Sequence, residues 1–338
     1  MTESTGAAGR PATAVAEQPQ HTRRAHRDFV LVTGAAGFVG THVCRQLTRR
    51  GSRVRGLVRS PAKAAERLAQ MPVDLHVGDV RDDMTLRRAM QGCDAVVHLA
   101  AIAIERPGQT YDDVNTRGTQ HVLDAMQAAG VRRLVHMSQN FAESRSPHRF
   151  LRSKGVAEDA VRASRIDWTV LRPSVIFGRE DEFVNVLARL VRLSPLVYPI
   201  PGGGKARFQP VAVDDVARVV ATALEQDKTI RRAYPLGGPA RLTLRQMVER
   251  ILVAMETRRL IVPVPVAALR PIIAVAQRLL PRFPVTTELL DLLAIDNVVE
   301  GNSLHDEFGI IPTPFAPEEL EYLRDISRRD ALRSLFTR

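Results

Sequence analysis

The run TGAAGFVG at residues 33 to 40, which closes the apolar segment FVLVT, constrains the fold of this chain more than any other feature. Gly34, Gly37 and Gly40 recur at spacings of three and lead into the helical stretch HVCRQLTRR. In a strand-to-helix turn each glycine has its own duty. Gly34 takes the tight turn, Gly37 lets the backbone approach a pyrophosphate, and Gly40 permits close packing of helix on strand. A lone glycine triplet also occurs in ordinary turns, so the surrounding pattern must decide.

That pattern is an alternation of short apolar runs with amphipathic stretches, the sign of parallel strands joined by helices. Strands are predicted at Phe29 to Thr33, Val54 to Val58, Val73 to Val77, Ala95 to Leu99, Leu134 to Ser138 and Trp168 to Leu171, with a helix from Thr119 to Ala129 stopped by Gly130. The expected fold class is α/β, a Rossmann doubly wound parallel sheet with a smaller, mainly helical C-terminal lobe. The expected division is a disordered tail at 1–27, a dinucleotide-binding domain from 28–175 with 208–238, and a substrate or partner lobe from 176–207 with 239–330. Residues 202 to 208 read as a loop, and the strand-and-helix pair at 208 to 226 as rejoining the sheet. Asp214 and Asp215 read as the N-cap of that helix.

The formal charge of +11 raises the question of nucleic acid, but 44 of the 48 basic residues are Arg and only four are Lys. The Arg residues are scattered in pairs without a recognised nucleic-acid module, so no nucleic-acid partner is expected. Cys44 and Cys93 are too few for a disulfide scaffold or a zinc cluster and read as small buried hydrophobes. The first 27 residues lack an apolar stretch, so no secretory signal is read there and a reducing, cytoplasmic compartment is expected.

NAD binders place an acid at the end of the second strand to hold the ribose hydroxyls. Here that position reads RGLVRSPAK, with Arg59, Ser60 and Lys63 and no acid between Gly51 and Ala65. A cation there pairs with a 2'-phosphate, so NADP(H) is favoured over NAD(H).

In TGAAGFVG, GDVRD, HLAA, VNTRGTQHVLDAM, HMS and LRPSVIFG the sequence resembles the extended and atypical branches of the short-chain dehydrogenase superfamily. The resemblance implies a cofactor site of Gly34, Ala36, Gly37, Phe38, Val39 and Gly40, with Asp79 and Val80 beside the adenine. It further implies that Leu99, Ala100, Ala101 and Ser138 line the cleft and that Pro173 and Val175 face the nicotinamide. RFLRSKGVAEDAVR, RPSVIFGREDEFVNVLARL, IDNVV and EFGIIPTP resemble more narrowly the nucleotide-binding accessory subunit family of respiratory complex I and its bacterial relatives.

Active members of the superfamily carry Tyr and Lys four residues apart on one helix face, where the Lys charge lowers the phenol pKa and the Lys also binds the nicotinamide ribose. This sequence has Phe150 and Lys154. The position of the assisting Ser reads Asn140, and Ser138 is expected to bond to backbone. Lys154 persists in a chain that otherwise uses Arg, which points to a compact ammonium required for ribose binding. Tyr111 and His148 are the other candidates for a proton donor, with surface or packing roles preferred.

Residues 260 to 284, LIVPVPVAALRPIIAVAQRLLPRFP, are the most apolar in the chain, yet Arg270, Arg278 and five prolines preclude a spanning helix. On a helical wheel from Ala268 to Leu280, Arg270 and Gln277 share one face, with Arg278 beside it. Such a helix lies in a membrane interface, against a protein partner, or over the lobe's own core. Two functional expectations follow: a noncatalytic dinucleotide-binding protein acting structurally or in assembly of a membrane-associated complex, peripheral at the inner face of the membrane or on an anionic membrane surface, or a reductase or epimerase/dehydratase acting on a sugar nucleotide or lipid-like substrate.

Overall fold

The computed structural model describes residues 28–279, 283 and 285–335. The tail at 1–27, read as disordered, and Leu280, Pro281, Arg282 and Pro284 of the apolar stretch lie outside the described residues. Strand and helix alternate through the first half: β1 (Phe29–Thr33), α1 (Phe38–Arg49), β2 (Arg53–Val58), α2 (Pro61–Leu68), β3 (Val73–Val77), α3 (Asp83–Met90), β4 (Ala95–His98), α4 (Gly118–Ala129), β5 (Arg133–Met137), α5 (Arg149–Ala163) and β6 (Asp167–Pro173). There follow β7 (Ile176–Phe177), α6 (Val184–Leu193), β8 (Val197–Pro201), β9 (Arg207–Phe208), β10 (Val211–Ala212), α7 (Val213–Glu225) and β11 (Arg232–Leu236). The remainder comprises β12 (Leu242–Thr243), α8 (Leu244–Ala254), β13 (Leu260–Val264), α9 (Val266–Leu279), α10 (Thr287–Leu292), α11 (Ser303–Asp306), a 3₁₀ stretch (Pro317–Asp325) and α12 (Arg328–Arg333).

Seven strands form one parallel sheet in the order β3-β2-β1-β4-β5-β6-β11. Strand order reverses between β1 and β4, which opens a crevice at their carboxyl ends where the glycine turn begins. The central strands β1, β4 and β5 are buried throughout, because helices cover both faces of the sheet. One face buries Val30, Val32 and Val97 against Val43 and Leu47 of α1 and Val216 and Val220 of α7. The other buries Leu31, Val96 and Leu134 against Leu86, Met126 and Val161 of α3, α4 and α5. A separate apolar cluster joins Leu187 of α6, Met247 and Ile251 of α8, and Phe315 and Leu320.

Three sequence expectations need correction. The strand at Val211–Ala212 does not rejoin the large sheet but pairs with β7, and the seventh strand is β11, which periodicity did not single out. Pro235 masks β11 in the sequence, but at a sheet edge the missing N–H leaves no ladder bond unmade. Residues 202 to 208 are not all loop, since Arg207–Phe208 pairs antiparallel with β12. The N-cap of α7 is Ala212, with Asp214 and Asp215 in the first turn. There carboxylates favour the helix dipole, and the buried Asp215 accepts from the Thr313 N–H (2.7 Å) and pairs with Arg218.

The side of α9 that carries Arg270 and Gln277 meets α10, with the Arg270 side chain still more than half exposed. Arg270 pairs with Asp291 of α10 (2.5 Å) and Gln277 accepts from the Thr287 N–H (3.2 Å). Ile273 is buried against Leu290, whereas Ile272, Val275 and Leu279 are exposed. Cys44 and Cys93 are buried, and burial pushes their thiols up to about 12 and about 11.

Candidate functional site

The chain leaves β1 through Gly34 at φ +71°, where a Cβ would stand 3.1 Å from the Ala100 nitrogen. The Gly37 N–H donates to the Gly34 carbonyl (2.8 Å), and a Cβ on Gly37 would lie 2.9 Å from that oxygen. At Gly40 a Cβ would collide with the Gly34 carbonyl oxygen, so α1 can rest on the turn only without a side chain. Gly37 caps α1 without a side-chain acceptor, and no acid occupies the first turn. The first-turn N–H groups and the positive end of the helix dipole therefore suit an anion, which is how the turn fits a dinucleotide pyrophosphate. Ala36 is buried in this turn, and Phe38 and Val39 are half-buried beside it.

A hydrogen-bonded chain fixes the turn to the next strand. Thr33 Oγ1 accepts from the Leu99 and Ala100 N–H groups (3.2 Å each) and sits 2.8 Å from His98 Nδ1. His98 Nε2 lies 2.9 Å from Thr119 Oγ1, whose hydroxyl donates to the Asn115 carbonyl. With both ends of the chain so assigned, His98 is neutral with its proton on Nε2. Burial, with the charge of Lys154 added, pushes its pKa down to about 3. Ala101 is exposed just beyond this chain.

At the end of β2, Arg59, Ser60 and Lys63 are all exposed. Ser60 caps α2, its Oγ accepting from the Lys63 N–H (3.3 Å). Partial burial acts to raise the Asp79 pKa, but hydrogen bonds and charge from Arg81 and the nearby charge of Arg59 outweigh it and hold the carboxyl below its ordinary value. Val80 is buried, and its carbonyl lies 3.2 Å from His121 Nδ1.

Lys154 is buried on α5, with Nζ donating to the Met137 carbonyl (2.6 Å). Burial lowers its pKa to about 8, and Glu158, one turn further along the helix, acts in the opposite direction. Glu158 is itself buried, and burial acts to raise its pKa. Hydrogen bonds from Arg172, Ser138 (2.6 Å) and Arg162 prevail and keep it ionised. Ser138 thus bonds to a carboxylate, not to backbone as expected, because the residue four positions past Lys154 turns into the sheet beneath it. His136 lies 5.3 Å from His98 ring to ring. Neither of its ring nitrogens has a partner among the described residues, and burial first, then Lys154 and His98, push its pKa well below the ordinary value.

Over this floor lie residues with no exchangeable side-chain proton at the Tyr position. Phe150 is half-buried with its ring 5.8 Å from that of Tyr111, and its N–H donates to Glu288 Oε1 of α10 (2.7 Å). Asn140 Nδ2 donates to Asn297 Oδ1 (2.9 Å), and the Asn297 carbonyl accepts from Ser174 Oγ (2.7 Å). Pro173 and Val175 hold this edge through their carbonyls, which accept from the N–H groups of Asn140 and Val211 (2.9 Å each). The buried Tyr111 hydroxyl donates to the Ala103 carbonyl (2.9 Å), and His148 is the N-cap of α5. Sequence reasoning did not single out Glu288, Asn297, His98, His136 or Glu158. The i,i+4 spacing of Lys154 and Glu158 was a usable signal for the last of these.

A family profile described as NAD(P)H-binding matches residues 34–227. The rat NADH dehydrogenase [ubiquinone] 1 alpha subcomplex subunit 9, a mitochondrial protein, is 32% identical over 305 residues, covering 87% of this chain and 79% of that protein. The chain belongs to this NAD(P)H-binding, subunit 9 family. The Arabidopsis thaliana subunit 9 is 33% identical over 227 residues, but the match spans only 64% of this chain and 56% of that protein. A ceramide reductase from Caulobacter vibrioides is 33% identical over 192 residues, 56% of this chain and 59% of that one. Among solved structures, gox2253 superposes with a TM-score of 0.70 at 26% identity, covering 89% of this chain and 99% of that one. A dTDP-glucose 4,6-dehydratase from Streptomyces venezuelae solved with NAD bound shares the fold, with a TM-score of 0.68 at 23% identity over 87% of this chain and 95% of that one.

Within this NAD(P)H-binding family member, a bound dinucleotide would supply hydride chemistry, and the chain's own residues divide into those that suit binding and those that limit proton transfer. The glycine turn would offer its helix end to phosphates, and Lys154 Nζ, which donates to the Met137 carbonyl, would have further N–H groups for ribose hydroxyls. Phe150 offers no proton at the position where the superfamily has Tyr. The Asn140 amide is engaged by Asn297.

Proposed function

We propose that this protein holds NADP(H) without turning it over, as a structural element of, or an assembly factor for, a membrane-associated complex related to complex I, NADH:ubiquinone oxidoreductase. The observation that carries this reading is Phe150 one turn before the buried Lys154: an ammonium suited to ribose hydroxyls is present where the superfamily's Lys stands, and the position of its proton-donating phenol holds Phe. The kinship with subunit 9 proteins supports the partner class, and the exposed apolar side of α9 supports peripheral attachment at the cytoplasmic face of a membrane. The cofactor site in this reading is the glycine turn with Asp79, Val80, Leu99 to Ala101, Ser138, Lys154, Pro173 and Val175.

The preference for the 2'-phosphorylated nucleotide rests on the exposed Arg59 at the end of β2, beside Ser60 and Lys63. A charge-assisted contact there is worth roughly 1.5 to 3 kcal/mol. NADPH is expected to bind more tightly than NADH by roughly tenfold or more, and Arg59→Ala to erase most of the difference. Equal affinities in calorimetric titrations, or an unaltered preference in Arg59→Ala, would refute it.

A second reading, an NADPH-dependent reductase or epimerase/dehydratase on a sugar nucleotide or lipid-like substrate, draws on the likeness to a ceramide reductase and on Lys154 itself. An amine lowered to about 8 is a competent proton carrier near neutral pH. The observation against it is that Glu288 and Asn297 of this chain already hydrogen-bond to Phe150 and Asn140, where a substrate would approach.

A further inference from the structure

Away from the dinucleotide cleft, the open end of the β8–β13 ribbon carries apolar side chains that no core uses. Leu196 and Leu260 are 77% and 67% exposed and Val197 is 45% exposed. The Leu260 N–H donates to the Leu196 carbonyl (2.9 Å) and Leu260 is the register partner of Val197, so the three stand together at one tip. Next to each leucine in sequence, Pro195 and Arg259 line a cleft of about 480 Å³ together with Arg192, Arg324, Asp325 and Arg328.

The charge of that cleft is unbalanced. Asp325 is engaged by Arg179 (2.9 Å), and Arg324 pairs with Glu256 and Glu321 (3.3 Å each). Arg192 and Arg259 are instead held by main-chain oxygens, their Nε atoms donating to the carbonyls of Ile326 (2.9 Å) and Ser194 (2.5 Å). A carbonyl fixes a guanidinium in place without neutralising it. Arg328 has no hydrogen-bond or ion-pair partner among the described residues.

Oriented guanidinium groups suit the oxygens of a phosphate, and protruding leucines suit the acyl boundary beneath a headgroup layer. We propose that this tip docks on an anionic bilayer, with a phospholipid phosphate entering the cleft between Arg192, Arg259 and Arg328 while Leu196, Val197 and Leu260 enter the acyl boundary. Charge complementarity selects the anionic bilayer as occupant, and the apolar tip distinguishes it from a soluble phosphate. No helix among the described residues is long and apolar enough to cross a membrane, so the contact is interfacial. The surface is separate from the dinucleotide site, and its failure would leave NADPH binding as it is.

Flotation of the full chain with NADPH bound, on phosphatidylcholine vesicles with and without phosphatidylglycerol, tests the proposal. The protein is expected to float only with the anionic vesicles and to be released by high salt. Arg259→Gln with Arg328→Gln is expected to lower the partitioning roughly tenfold or more, and Leu196→Ser with Leu260→Ser to lower it as well. Arg45→Gln with Arg49→Gln removes the same charge from α1 and is expected to leave partitioning within about twofold, given one small screened increment per distant charge. Retained NADPH binding certifies the fold of each variant. Should a tip variant lose its fold, hydrogen exchange of the unmodified protein decides, with slowing at residues 194–198 and 258–262 on anionic vesicles as the supporting result. Equal flotation without phosphatidylglycerol, equal loss in the α1 variant, or unchanged exchange at the tip would overturn the proposal.

Discussion

Lys154 is the residue at which binding and chemistry part. Its pKa of about 8 lies below its ordinary 10.5, so its charged form is disfavoured by folding. The stability it contributes is therefore fully present above about pH 10.5 and lost as pH falls through about 8. Lys154→Met is accordingly expected to leave the thermal midpoint of the nucleotide-free protein at pH 7 unchanged or higher, while weakening NADPH binding roughly tenfold or more through a lost charge-assisted bond. In the unmodified protein NADPH affinity is expected to weaken as pH rises through about 8, and in Lys154→Met that step is expected to vanish. Scanning calorimetry with titrations at several pH values checks both, and a lowered midpoint with unchanged affinity would make Lys154 a purely structural residue. The glycine turn and the Phe150–Lys154 pair were legible in the sequence, because backbone geometry and helical spacing follow from residue type and position alone. The partner of Ser138 was not: Glu158 reaches it only because Arg172, on the sixth strand, and Arg162 fix that carboxylate under the sheet.

At the scale of elements, the six strands read from apolar runs coincide closely with β1 to β6: β1, β4 and β5 are buried on both faces and mostly apolar, whereas β3, at the exposed sheet edge, shows through the alternating apolar residues of VDLHV. Two features resisted. Pro235 hid β11, and a helical wheel finds the polar and apolar sides of α9 but not which of them meets the protein. Asp291 and Thr287 of α10 decide that, pairing with Arg270, whose side chain stays more than half exposed, and with the half-buried Gln277. The α9–α10 pair is in turn attached to α5 through the Glu288 carboxylate on the Phe150 N–H. Glu288→Ala is expected to cost about 1 kcal/mol and to speed hydrogen exchange across 266–292 with little change at β1 or β4. Uniform acceleration across the chain, or none in that segment, would show that this bond does not anchor the pair.

At the scale of the whole molecule, three distant stretches of sequence are tied to the ends of the central strands and their neighbours: the glycine turn after β1, held against Ala100 beyond β4, the helix that begins near Phe150, tied to β5 through Lys154, and the C-terminal residues Glu288 and Asn297, bonded to Phe150 and Asn140. The first two were readable as motifs, whereas of the third only Asn297 was visible, as part of the segment IDNVV in a family resemblance, and Glu288 was not. In the proposed reading the residues that would hold a dinucleotide are present, while position 150 is Phe and offers no phenol. General acid-base assistance is worth roughly a hundred- to ten-thousand-fold in rate, so its absence would leave bound NADPH long-lived. The most direct measurement follows the nicotinamide absorbance of stoichiometrically bound NADPH in the unmodified protein over hours, with and without a panel of ketone, nucleotide-sugar and lipid-like carbonyl substrates. NADPH is expected to remain bound and unconsumed throughout. Steady oxidation with any of these substrates, abolished by Lys154→Ala while nucleotide binding survives, would contradict it and make the protein a working reductase.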